Sequence, residues 1–160
     1  MRVEGVLRTG LGVAAQFTEL PWVREQFQRK LGLDVWPGTV NLQVQDLAGL
    51  AALARLRAGG GVPIEPPGEG PPSVPPISGG EARTGTGAEP RHPPKIGGAG
   101  GAYCVGRCFK ACIGGLDAAV VVPEVADYPA DKLELIAPVH VGRALGLQPG
   151  DRVTVVIEEP

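Results

Sequence analysis

The chain has 160 residues, with 15 basic against 17 acidic side chains, a net charge of −2 at pH 7 and a pI near 5.7. That balance excludes a strongly basic nucleic-acid binder or anionic-membrane binder. No apolar run approaches the roughly 18 residues of a membrane span, and no signal peptide is visible. Three cysteines form an odd set without a disulfide framework, which points to a reducing cytoplasm. The length suits one domain with a real core.

Val3 to Thr9 reads as a first strand, followed by a Gly10-Leu11-Gly12 loop that can expose backbone N–H groups. Pro21 opens a helix at a first-turn position where its missing donor costs nothing. Val23, Phe27 and Leu31 form its apolar stripe, and Gly32 ends it. Trp36-Pro37-Gly38 is a turn signal, because Pro37 holds φ near about −65° and Gly38 can take the positive φ that follows. Val40, Leu42 and Val44 then alternate with Thr39, Asn41 and Gln43, the pattern of a strand with one buried face. Asp46 caps a second helix running to Ala58, with Leu47, Leu50, Leu53 and Leu56 expected inward.

From 59 to 101 more than half of the residues are Gly or Pro, and aromatics are absent. Such a segment cannot bury enough apolar area to offset about 1–2 kcal/mol of backbone ordering per residue. It reads as a flexible insertion in a single domain spanning residues 1–160, since about 58 residues on either side is marginal for an independent fold. Beyond it, Tyr103 to Ile113 alternates as a long strand, and Ala118 to Val122 is a short apolar strand ended by Pro123. Leu133 to Ile136 is another strand. Pro138 starts a third helix with Val141 and Leu145 inward, stopped at Gly146. A Pro149-Gly150-Asp151 turn precedes a final strand carrying Val153, Val155 and Ile157. Many short strands with few helices give a mainly β, α+β fold, a small barrel with helices closing its ends. Parallel βαβ repeats do not fit.

Four constellations bear on chemistry. Thr39 and Asn41 point a hydroxyl and an amide oxygen into one space; this is either a polar strand edge or, with phosphate oxygens and water, a seat for Mg²⁺. Gly10-Leu11-Gly12-Val13-Ala14-Ala15 matches the G-x-G-x-x-A fingerprint, but no βαβ series follows. It is either a plain glycine turn or a phosphate-facing loop acting through backbone amides and Arg8. Cys104, Cys108 and Cys112 lack the spacing of a zinc knuckle and read as small apolar core residues. Glu134 faces away from Leu133 and Leu135, either as a solvated strand residue or as a carboxylate at a barrel mouth that can deprotonate a substrate hydroxyl.

Together these pieces resemble the CTP-dependent riboflavin kinases. The resemblance rests on Glu4-Gly5-Val6-Leu7-Arg8-Thr9-Gly10-Leu11-Gly12, Leu31-Gly32-Leu33 and Pro37-Gly38-Thr39-Val40-Asn41-Leu42. Further along it rests on Val121-Val122-Pro123, Leu133-Glu134-Leu135-Ile136-Ala137-Pro138 and Leu147-Gln148-Pro149-Gly150-Asp151. It implies a six-stranded cradle-loop barrel that transfers the γ-phosphate of CTP to the 5′-hydroxyl of riboflavin, giving FMN and CDP. It implies that Arg8, Thr9, Gly10, Leu11, Gly12 and Val13 wrap the nucleotide together with Val139, His140, Val141 and Gly142. Thr39 and Asn41 would bind Mg²⁺, Ala126 and Glu134 would meet the flavin, and Glu134 would be the general base. No nucleic acid, membrane or obligate protein partner is implied.

The chain departs from the family at four places, one of them the Gly/Pro-rich insertion, which replaces a region that is normally compact. Ala126-Asp127-Tyr128 stands where a Thr-Tyr pair is usual, Val141-Gly142-Arg143 stands for Leu-Arg-Glu, and Val13 replaces an acidic residue. The changes at Ala126 and around Gly142 motivate one alternative, a flavin- or nucleotide-binding barrel without catalysis. The Leu-Gly-Leu-x-x-Gly-Asp segment, Leu145 to Asp151, motivates another, a DNA-binding regulator on a related barrel, against which the acidic pI weighs.

Overall fold

The computed structural model describes residues 1–10, 13–67 and 106–159. Apolar alternation decides which face of each strand turns inward. Six antiparallel strands close a barrel in the order β4 (Gly106–Ile113), β5 (Leu116–Pro123), β6 (Lys132–Ile136), β2 (Val40–Gln43), β1 (Arg2–Arg8) and β7 (Arg152–Ile157). Pairing of β4 with β7, from Ala111↔Ile157 to Ile113↔Val155, completes the ring. The six-stranded barrel expected from the sequence is therefore present.

A seventh strand was not anticipated. β3 (Val62–Ile64) falls inside the stretch read as flexible, yet it pairs with β4 from Val62↔Cys108 to Ile64↔Gly106. β3 and β7 share one edge of β4, each taking half of its length, so β3 lies outside the closed ring. The remainder of the Gly/Pro-rich stretch lies outside the described residues, as do Cys104 and the start expected for β4 at Tyr103.

Two apolar layers hold the fold. The barrel interior contains Val3, Leu42, Val44, Phe109, Ile113, Val120, Leu133, Leu135, Val155 and Ile157, all buried. α3 (Leu47–Ala58) adds Leu53 and Leu56 to this core. The second layer lies on the opposite face of β4, β5 and β6. There α2 (Pro21–Leu31) sets Val23, Phe27 and Leu31 against Ile64, Cys108, Ala119 and Ile136. Phe27 is fully enclosed; burying a side chain of this size contributes roughly 1.5–3 kcal/mol. α2 therefore packs on the barrel wall rather than closing an end. Pro21 begins it, and Gly32, in the left-handed region at φ 66°, stops it.

Other expectations shift in detail. The Asp46 side chain accepts from the Gly49 N–H at 2.7 Å and caps α3 as expected. Leu47, however, is 85% exposed instead of inward. The buried stripe of α3 is Gly49, Leu53 and Leu56. A Cβ on Gly49 would come within 2.5 Å of Val44 Cγ1, so the helix approaches the residue after β2 through its glycine, with Leu47 left in solvent. A short helix, α1 (Val13–Thr18), occupies chain expected to be loop up to Pro21. α4 (Val141–Leu145) starts three residues after Pro138, because His140 is its N-cap and accepts from the Arg143 N–H. Among the described residues no helix is long and apolar enough to cross a membrane.

Candidate functional site

Cross-strand register assembles the site. On β1, β2 and β6 the residues Arg8, Asn41 and Glu134 are paired in one row, Arg8↔Asn41 and Asn41↔Glu134. Leu42, Leu133 and Leu135 fill the barrel interior, so their neighbours Asn41 and Glu134 project from the outer face of the wall. This replaces the barrel-mouth position expected for Glu134. Glu134 is also no solvated strand residue, being 8% exposed, as is Asn41.

A buried carboxylate needs donors, and Glu134 has two hydroxyl donors and one ion-pair partner. Thr39 Oγ1 donates to Oε1 at 2.8 Å, and the Tyr128 hydroxyl donates to Oε2 at 2.7 Å. The Lys132 ammonium stands 3.3 Å from Oε2. Burial, and then the Glu134 charge, push the Tyr128 phenol well above its ordinary value, so it remains a protonated donor. Arg57 holds the connection that carries Tyr128, donating to the backbone oxygens of Pro129, Ala130 and Lys132. Its guanidinium lies 5.7 Å from the Tyr128 ring centre.

The Pro37–Thr39 turn delivers Thr39 to this cluster. Gly38 has φ 119°, a conformation side chains avoid. Its N–H donates to Thr18 Oγ1 at 2.9 Å, which ties the turn to the end of α1. Thr18 is buried and donates back to its own helix. Beyond the turn, the Asn41 amide lies 3.3 Å from Thr39 Oγ1, with Nδ2 donating. Gly10 makes room for that amide, since a Cβ there would stand 2.6 Å from Asn41 Nδ2. A second polar chain runs beside the row. Arg8 donates twice to Gln43 Oε1, at 3.0 and 2.6 Å, and Gln43 Nε2 donates to Asp131 at 3.0 Å.

These groups open into one cleft of about 1110 Å³. Of the residues singled out from the sequence, Arg8, Thr9, Gly10, Thr39, Asn41, Ala126, Glu134, Val139, His140, Val141 and Gly142 all line it. Leu11 and Gly12 lie outside the described residues, and Val13 opens α1. The walls are mixed. Val139 is 38% exposed and Trp36 43% exposed, with the Trp36 ring edge-on to His140 at 6.5 Å between centroids. Sequence reasoning did not assign roles to Tyr128, Lys132, Gln43, Asp131, Trp36 or Thr18. Tyr128 was noted only as part of a departure from the family. Lys132 and Gln43 share strand faces with Glu134 and Asn41 two residues away, a local signal that could find them, whereas Asp131 and Thr18 carry none.

Among the described residues no group of three or more His, Cys, Asp or Glu side chains could hold a metal. A metal here would depend on neutral oxygens, and Thr39 and Asn41 fit that role. As placed, the Asn41 amide nitrogen lies 3.3 Å from the Thr39 hydroxyl, so the two neutral side chains face one space. A half-turn of the Asn41 amide presents its oxygen instead of Nδ2, and the Gly10 gap leaves space for it. Neither described cysteine lines the cleft. Cys108 is buried under α2, and burial pushes its thiol up to about 12, so it remains protonated and inert.

The CTP-dep_RFKase family profile, described as a domain of unknown function (DUF120), matches residues 7–71 and 92–157. The riboflavin kinase of Methanosarcina barkeri is 31% identical over 159 residues, covering 99% of this chain and 57% of the relative. That of Methanosarcina mazei is 33% identical over 159 residues, with the same coverage. The riboflavin kinase of Archaeoglobus fulgidus is 29% identical over 157 residues, 98% of this chain and 54% of the relative. The chain thus spans a little over half the length of the curated relatives it matches.

Proposed function

Because the chain belongs to the CTP-dependent riboflavin kinase family, we propose that it transfers the γ-phosphate of CTP to the 5′-hydroxyl of riboflavin, giving FMN and CDP. The observation that carries this reading is Glu134, a buried carboxylate held by the Thr39 and Tyr128 hydroxyls beside the neutral Asn41 amide. No feature of the described site favours the alternative of a catalytically inactive barrel.

In the proposed reaction the 5′-hydroxyl of riboflavin lies against Glu134. The bond between the γ-phosphorus and the β–γ bridging oxygen breaks as the new bond to the 5′-oxygen forms. The hydroxyl proton passes to the Glu134 carboxylate, and CDP leaves with the bridging oxygen. Phosphoryl transfer of this kind depends on positioning and charge neutralisation. The two hydroxyl donors fix the carboxylate so that one lone pair faces the substrate. Thr39 and Asn41 would hold Mg²⁺, which neutralises phosphate charge when bound. The loop from Arg8 to Val13 and the segment from Val139 to Gly142 would take the nucleotide, while Ala126 and Glu134 would meet the flavin. Residues 1–160 would form one domain, with 72–91, the gap between the matched segments, as an insertion.

Incubating the protein with riboflavin, Mg²⁺ and each nucleoside triphosphate in turn tests this. FMN is expected with CTP. Absence of FMN with every donor refutes the activity, and FMN from ATP alone refutes the choice of CTP.

A further inference from the structure

The cationic groups of the cleft are distributed in an unexpected way. The segment from Val139 to Gly142 carries no permanent positive charge. A side chain on Gly142 would meet both His140 Cε1 and the Leu147 carbonyl at 3.3 Å, and the exposed Arg143 is not among the cleft's lining residues. Arg8 and Lys132 are the Arg and Lys side chains that line the cleft within the described residues. Arg8 is engaged, with two of its N–H groups on Gln43 Oε1. Lys132 differs. Its side chain is 36% exposed, its close polar partner is Glu134 Oε2 at 3.3 Å, and its ammonium lies 5.3 Å from the Tyr128 ring centre. An ammonium has three donors, so Lys132 can accept a further anionic partner without leaving the carboxylate's side.

Resting on the kinase reading, we propose that Lys132 is a catalytic residue that contacts the phosphoryl group as it arrives on the flavin 5′-oxygen and then holds the product phosphate. The charge sequence explains why it stands beside the base. Before transfer, the Glu134 carboxylate balances the ammonium. As the P–O5′ bond forms and the bond to CDP breaks, the hydroxyl proton moves to Glu134 and removes that balancing charge. The new phosphate monoester carries negative charge within reach of the same ammonium and replaces it. Asp131 also lines the cleft, with its Oδ2 accepting from Gln43 Nε2. Gln43 is the cross-strand partner of Lys132 and bears no charge.

The consequence is selectivity for the phosphorylated flavin. Flavin fluorescence quenching, with riboflavin and FMN titrated separately into wild type, Lys132→Met and Lys132→Arg, reads it directly. Lys132→Met is expected to weaken FMN about tenfold or more, the scale of one charge-assisted hydrogen bond. Riboflavin should stay within about twofold, and Lys132→Arg should retain most of the FMN affinity. A purely structural role, through loosening of Glu134, would weaken both flavins alike. Equal loss for both flavins, or an unchanged FMN-to-riboflavin ratio, overturns the role of Lys132 while leaving the kinase reading in place. Wild type that binds neither flavin overturns the kinase reading and this role with it. Circular dichroism confirms folding of each variant, and Lys132→Gln serves as a second neutral substitution if Lys132→Met does not fold.

Discussion

Gly10→Ala tests the link between the loop after β1 and the oxygen pair on β2. The added Cβ would stand 2.6 Å from Asn41 Nδ2, about 0.8 Å inside ordinary contact, while its next neighbours, Asn41 Cγ at 3.7 Å and the Thr39 carbonyl at 3.9 Å, are not crowded. The strain therefore falls on one group, the Asn41 amide. That amide is buried in the row between Arg8 and Glu134, so the added methyl must either strain it or displace it. Overpacking of this kind costs typically about 1–3 kcal/mol. If the amide holds its place, the cost appears as a melting temperature lowered by about 4–8 °C for 2 kcal/mol. If the amide swings away, the cost appears as turnover reduced about 10–100-fold and a raised half-saturating Mg²⁺ concentration. Melting curves with and without Mg²⁺, together with FMN formation across a Mg²⁺ series, separate the two outcomes. A second substitution, Asn41→Ser, removes the clashing amide and should restore the melting temperature but not turnover. A Gly10→Ala protein with unchanged melting, turnover and Mg²⁺ dependence would refute the close approach and the metal role built on it.

Three further outcomes are expected. Glu134→Gln keeps the shape and loses the base, so turnover should fall about 10²–10⁴-fold with riboflavin binding retained; turnover within about threefold of wild type would reject Glu134 as the base. Tyr128 has its phenol raised above the ordinary 10.0, so the unfolded chain releases this proton first. Its contribution to stability is fully present below about pH 10 and declines as pH rises beyond that. In absorbance at 295 nm, one of the chain's two tyrosines should ionise only on unfolding, and Tyr128→Phe should abolish that late step. Finally, deletion of 72–91 should leave melting and flavin binding close to wild type; gross unfolding would show that the segment is part of the core.

The site and the fold differ in how far local sequence could reveal them. Period-two alternation placed Asn41 and Glu134 on polar strand faces, and the structure finds them there, because pleating alone sets the side of a residue. The Pro37-Gly38 turn, the Asp46 cap and the Gly32 stop were readable because each depends on backbone chemistry within a few residues. α1 was not readable: six residues are too few for a clear period, and the helix lacks an acidic first turn. Leu47 was misplaced because spacing cannot tell a leucine from a glycine as the point of contact, and here Gly49 allows the approach to Val44.

The sequence by itself determined the strand faces, the caps, the turn that presents Thr39 and the family likeness carried by its ordered segments. Only the tertiary structure decided which strands are neighbours. Thr39 and Glu134 are 95 residues apart and meet because β2 lies between β1 and β6. Closure of the barrel through β4 and β7 made the side of β6 opposite Leu133 and Leu135, where Glu134 lies, an outer wall. Tyr128, from the connection before β6, reaches the same Glu134 carboxylate, which Lys132 meets by sharing its strand face two residues away. The physical reason is that alternation fixes orientation within one strand, whereas partner choice depends on the packing of the whole chain.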